Sequence, residues 1–143
     1  FLIVNADILT DLPLNELMGE QVGSMNLATL AVSDRPSSRR LLFEKQTGLL
    51  GGWENTATGE LKITRRMNDP ISKAFSGIHC MDGQIIRRLA AFPEFNGHAP
   101  FSIIDGYLAL SKTNPIGYYD HSGAKFMDTG TPERLAEAAI MFS

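Results

Sequence analysis

The sequence predicts an α/β fold: a mixed, mostly parallel sheet with helices on both faces and a small β-hairpin insertion. Three observations predict it. Apolar, β-rich runs recur at Phe1–Ala6, Leu27–Ser33 and Ala74–Cys80, each apolar on both faces, as strands between two helical layers are. Stretches of helical spacing with recognisable caps lie between and after them. The alternation breaks only over residues 40–64, where short strands follow one another through Gly- and Asn-containing turns.

Phe1 to Ala6 reads as the first strand and ends in Asn5-Ala6-Asp7. A helix over about 14–19 follows Pro13, with Asn15 and Glu16 outward. Leu27 to Ser33 is a second central strand, closed by the turn cluster Asp34-Arg35-Pro36-Ser37-Ser38. Residues 40–44 and 49–53 form a hairpin with Gly48 at its tip, and Leu61–Thr64 adds a strand after the polar turn Asn55–Gly59. Beyond the polar segment Arg65–Pro70, Ala74 to Cys80 is a third apolar strand with Gly77 inside it. Asp82 is placed to cap a helix reaching about Ala91, in which Ile85, Ile86, Leu89 and Ala90 share a face. Ser102, with Asp105 three residues on, matches a capping box for a helix over 103–110. Residues 116–119 and 125–127 read as strands around His121-Ser122-Gly123. Thr131 and Pro132 open the last helix as N-cap and first-turn residue.

The 143 residues fit one domain, 1–143, since single cores most often close at roughly 100–150 residues. A hydrophobic content of 43% can fill such a core, and the formal net charge of −3 provides no basic stripe for nucleic acid. No polybasic run is available for an anionic membrane, and no apolar stretch approaches the ~20 residues of a bilayer span. We therefore expect neither nucleic acid nor membrane as a partner. The charge leaves open whether the chain forms a homo-oligomer. The lone Cys80 rules out an internal disulfide and suits a reducing, cytoplasmic setting. A central-type strand at residue 1 calls for neighbours on both sides, so we expect the chain to be the C-terminal part of something longer.

Chemistry is expected where strands end. Asp7 and Asp128 each directly follow an apolar strand, and ligands of open α/β sheets bind beyond the carboxyl ends of strands. Two carboxylates meeting there could hold Mg²⁺, a hard cation that takes oxygen ligands and substrate phosphates. Each Asp could equally just end its strand and cap a turn, a common use of the residue.

A run of four segments resembles one family. Phe126-Met127-Asp128-Thr129-Gly130-Thr131-Pro132-Glu133 is similar to the W-x-D-x-G-T-P-E segment of the sugar-phosphate nucleotidyltransferases. Val4-Asn5-Ala6-Asp7 resembles their strand ending in N-G-D. Phe75-Ser76-Gly77-Ile78-His79-Cys80-Met81-Asp82 and Phe101-Ser102-Ile103-Ile104-Asp105 resemble their F-x-G-I-h-h-h-D and F-S-h-h-D segments, in the same chain order. The resemblance is strongest to short bacterial enzymes such as mannose-1-phosphate guanylyltransferase and N-acetylmuramate-1-phosphate uridylyltransferase. It implies a Rossmann-like sheet and transfer of a nucleoside monophosphate from an NTP to a sugar 1-phosphate, giving an NDP-sugar and pyrophosphate. It further implies Asp7 and Asp128 as Mg²⁺ ligands, no catalytic residue beyond them, and a sugar site at Ser76 and Gly77. In that site Gly77, without a Cβ, would let the backbone approach the sugar. A glycine in a strand can also simply mark a bulge.

Departures from the family pattern carry information too. Ala6 stands for the usual Gly, Phe126-Met127 lacks the frequent Trp, and the family's E-K-P is replaced by Gly52-Trp53-Glu54-Asn55. Glu54 is then the counterpart of the sugar-binding Glu, and no Lys matches. The family's N-terminal G-x-G-T-R … P-K segment, whose amides and cations grip the triphosphate, occurs nowhere in these residues. The expectation is a sugar- and metal-binding portion that does not catalyse transfer without an upstream nucleotide half. A non-catalytic sugar-nucleotide-binding or regulatory module on the same scaffold is the alternative. An aspartyl-phosphate phosphatase is disfavoured, because Asp7 and Asp11 are four residues apart where D-x-D needs two. His79, His98 and His121 are not spaced as a zinc site; His79-Cys80 reads as core, Arg39-Arg40 and Arg65-Arg66 as solvated surface, and Asp105 as structural.

Overall fold

The longest strand, Pro70–Met81, organises the rest of the chain. The computed structural model describes residues 1–5, 8–97 and 100–142. In chain order its elements are β1 (Leu2–Val4), β2 (Ile8–Thr10), α1 (Leu14–Ser24), β3 (Ala28–Ser33), β4 (Arg39–Glu44), β5 (Leu50–Asn55), β6 (Glu60–Ile63) and β7 (Pro70–Met81). Then follow α2 (Gln84–Ala90), a 3-10 turn (Pro93–Phe95), α3 (Ile103–Ser111), β8 (Ile116–Asp120), β9 (Phe126–Asp128) and α4 (Pro132–Met141). Seven strands form one sheet in the order β6-β5-β4-β7-β3-β8, with β1 also on β7; β2 and β9 form a separate ribbon.

The sheet is mixed, as expected, but it is not mostly parallel. Among the described strands only β3 and β8 are parallel neighbours, and every other pair is antiparallel. The reason is β7. It arrives from the β4–β5–β6 meander and runs against β1, β3 and β4, which all point the same way. The carboxyl ends of β1, β3 and β8 therefore still share one rim, which is what a ligand site needs.

Both faces of the sheet are covered, in keeping with the doubly apolar β3. Leu30 and Val32 point into a core with Phe43, Leu50, Tyr107 and Leu110, under α2 and α3. Ala31 points the other way, to Leu17 of α1, Ile78 and Cys80. Thr29 is fully buried beneath α1, and its hydroxyl donates to Gln21 Oε1 at 2.6 Å, which removes the cost of burying it. His79 and Cys80 are core residues, as read from the sequence. Among the described residues, no helix is long and apolar enough to cross a membrane.

Two local readings change. Helix α1 continues past Gly19 to Ser24, and Gln21 Nε2 ties its end to the Asn26 carbonyl at 2.8 Å. Strand β1 pairs through one edge only among the described strands. Phe1 and Val4 are exposed rather than enclosed, at 63% and 44%.

Candidate active site

The rim opens on a cavity of about 430 Å³. Asn5 enters it from the end of β1, Ser76 and Gly77 from the middle of β7, and Asp128 from the end of β9. Arg35 comes from the β3–β4 connection and Arg134 from the first turn of α4. Residues far apart in sequence meet here because the strands that carry them are tied together in the main sheet and the β2–β9 ribbon.

Gly77 sits on a bulge. Leu30 pairs with His79 but Val32 with Phe75, so β7 carries extra residues against β3 at this point, the kind of kink that re-aims a strand beside a functional site. Its φ of +73° is one that glycine adopts freely and L-residues do not. The open side of Gly77 is taken by Asn5. The Asn5 N–H donates to the Gly77 carbonyl at 3.1 Å, and a Cβ at residue 77 would lie 2.6 Å from Asn5 Nδ2. Gly77→Ala is thus expected to destabilise the fold by roughly 2 kcal/mol, from the left-handed backbone and the collision together. A urea-denaturation difference under about 0.5 kcal/mol would contradict this packing.

Ser76 is buried, with its Oγ 2.5 Å from His121 Nε2. Burial outweighs the pull of Asp120 and holds the His121 pKa below its ordinary value, so the ring is neutral near pH 7 and fixes the Ser76 hydroxyl without carrying charge. Asp128 is exposed at the cavity mouth, and its Oδ1 accepts the Gly130 N–H at 2.9 Å. Thr131 caps α4 just behind, accepting from the Arg134 N–H at 3.2 Å. Ile8 is the register partner of Asp128. Asp7 lies outside the described residues; Asn5 and Ile8, its described neighbours in the chain, both line the cavity.

Glu54 does not line this cavity. It accepts from Ser72 Oγ at 2.9 Å, and Ser72 in turn accepts Arg40 Nε on its hydroxyl and Arg40 Nη2 on its carbonyl, at 2.7 and 3.0 Å. Arg40 Nη1 then reaches the Arg35 carbonyl at 3.1 Å. Arg40 is therefore a half-buried strut and not a solvated surface residue: it pairs with Glu54 on β5, and its side chain reaches diagonally to Ser72, the register partner of Leu42 on β7. A second strut is Lys73, which bridges Asp34 at 2.6 Å and Asp120 at 2.7 Å. Together they fix the loop that carries Arg35.

The sequence does not single out Arg35, Arg134 or Asn5 as site residues. Arg35 does lie just past the carboxyl end of β3, where ligands of open sheets bind, but it sits in a run that reads as a turn.

As a metal site, the cavity offers the Asp128 carboxylate from its described lining. No group of three His, Cys, Asp or Glu side chains among the described residues could hold an ion. A donor set of one or two carboxylates with room for phosphate oxygens suits Mg²⁺, which keeps water and takes substrate phosphates in place of a full protein cage.

No family model matches the sequence, and no curated protein matches it. Solved structures do. A protein assigned as a glucose-1-phosphate thymidylyltransferase from Bacillus anthracis, solved in complex with sucrose, superposes with a TM-score of 0.69 at 16% identity, over 98% of this chain and 53% of its own. The inositol-1-phosphate CTP transferase from T. maritima gives 0.65 at 13% identity, over 99% and 54%. HddC from Yersinia pseudotuberculosis complexed with GMP-PN gives 0.65 at 16%, over 100% and 55%. The chain shares the fold of these solved structures. It spans about half the length of these solved nucleotidyltransferase-fold chains, and within that half the expected α/β architecture with a mixed sheet is present.

Proposed function

We propose that the chain is the sugar- and metal-binding portion of a Mg²⁺-dependent sugar-1-phosphate nucleotidyltransferase, acting on an NTP and a sugar 1-phosphate. The observation that carries this reading is the meeting of Asp128, Ser76 and Gly77 at one cavity, on a fold shared with nucleotidyltransferases. Asp128, with Asp7, would hold the cation. Bound there, Mg²⁺ supplies charge neutralisation for phosphoryl oxygens that crowd together during in-line displacement. The protein's own part is positioning. The Gly130 amide orients Asp128, His121 holds Ser76, and the Asn5–Gly77 contact shapes the floor on which a sugar would rest. Glu54 acts, on this reading, through Ser72 and Arg40 rather than by touching the sugar.

The sequence resemblance makes mannose, glucose-type and N-acetylmuramate 1-phosphates the first substrates to try. The test uses the full-length protein with a panel of NTPs and these sugar 1-phosphates, following pyrophosphate release in Mg²⁺ and in EDTA. Metal-dependent release with one pair supports the reading. Binding of a sugar nucleotide with no release from any pair would favour the non-catalytic module instead.

A further inference from the structure

We propose that Arg35 is the phosphate-binding residue of this site, holding the phosphate group of the sugar 1-phosphate; this rests on the nucleotidyltransferase reading above. Three features of its surroundings argue for an anionic ligand. First, its guanidinium is incompletely satisfied. Nη2 donates to the Phe75 carbonyl at 2.7 Å, but the buried Nε has no acceptor among the described residues. A buried charged N–H left without a partner is costly, and no carboxylate among the described residues is hydrogen-bonded to Arg35 in compensation.

Second, the charges around it are lopsided. Burial lowers its pKa; Asp128 opposes this, while Arg134 and Arg40 add to it by repulsion. The Arg40 guanidinium is committed to Ser72 and the Arg35 backbone, so it restrains the loop more than it offers donors. A phosphate would supply the missing acceptor and offset the crowded positive charge in one step, and arginine's planar fork suits phosphate geometry.

Third, its position is fixed and central. The guanidinium lies over the Phe126 ring, 4.8 Å from the centroid, so the side chain is stacked in place. Arg35 and Phe75 line both the cavity holding Asp128 and a neighbouring groove of about 540 Å³ walled by Trp53, Asn55 and Lys62. A phosphate at Arg35 would therefore share one cavity with Asp128 and its cation and with the Ser76–Gly77 floor proposed for the sugar.

The test is binding to the full-length protein in EDTA, so that it does not depend on the metal or on turnover. The probes are mannose 1-phosphate, inorganic phosphate and pyrophosphate, titrated by calorimetry. Arg35→Gln is expected to weaken mannose 1-phosphate binding by about 10- to 100-fold, the loss of charge-assisted hydrogen bonds. Arg35→Lys should recover part of that loss, and Arg87→Gln, on the exposed face of α2, should bind as the wild type does. In the unaltered protein, the Arg35 Nε–H resonance should shift saturably with the sugar phosphate, which keeps the proposal testable if Arg35→Gln fails to fold. Equal affinity in Arg35→Gln and wild type, or an unmoved resonance at saturation, overturns it. Pyrophosphate binding alone through Arg35 also overturns the sugar-phosphate assignment. Arg35-dependent binding of mannose 1-phosphate in a protein that transfers nothing would uphold Arg35 and reject the nucleotidyltransferase reading. Transfer unaffected by Arg35→Gln would do the reverse.

Discussion

Asp128→Asn in the full-length protein is expected to lower kcat for nucleotidyl transfer at least about a hundredfold while leaving the fold in place. The magnitude follows from losing a charged ligand to a catalytic cation, in a reaction whose barrier is set by phosphate charge and alignment. The fold should survive because the side chain is exposed and Asn keeps an oxygen for the Gly130 amide, so the turn into α4 is preserved. Circular dichroism and thermal unfolding would check the fold, and steady-state rates over a range of Mg²⁺ concentrations would check the role. A variant within about threefold of wild type at all Mg²⁺ concentrations would remove Asp128 from the metal site.

The second large effect is on stability in acid. His79 is 3% exposed, and its Nδ1 is hydrogen-bonded to the Tyr107 hydroxyl, itself fully buried. Desolvation lowers the His79 pKa to about 4. Between its ordinary value near 6.5 and 4, the unfolded chain binds a proton that the native chain refuses, so stability falls as pH falls through this window. The loss is of order 3 kcal/mol if the whole shift is realised, and His121, lowered by burial as well, pushes in the same direction. Urea midpoints at pH 7, 6, 5 and 4.5 should drop progressively. In His79→Gln, which can still hydrogen-bond Tyr107, the drop should be much shallower. A flat stability profile over that range in the wild-type chain would show that His79 titrates normally.

Much of the fold is legible in the sequence because its signals are local. The Leu27–Ser33 run, the Gly48 hairpin tip and the Thr131-Pro132 cap each declare an element within a few residues, and each element is present. Strand direction is not local. The apolar character of Ala74–Cys80 shows only that it is buried between layers, and says nothing about β7 running against its neighbours. The site divides the same way. Asp128, Ser76 and Gly77 belong to motifs, and the structure brings them to one cavity. Glu54 matches the family pattern only by its place after a hairpin, and on β5 its carboxylate accepts from Ser72. Arg40 reads as solvated because a pair of arginines in sequence gives no hint that one of them reaches diagonally to a serine on a neighbouring strand.

The bend at Ser76–Gly77 also has a mechanical consequence. On the side where Lys73 pairs with Leu41, β7 belongs to the hairpin half of the sheet; where His79 pairs with Ile3, it belongs to the opposite half. A molecule resting on the hinge point between them would clamp both halves at once. Amide exchange at Leu41 and Ile3, which lie on separate strands and share no hydrogen bond, should then slow together when substrate is added.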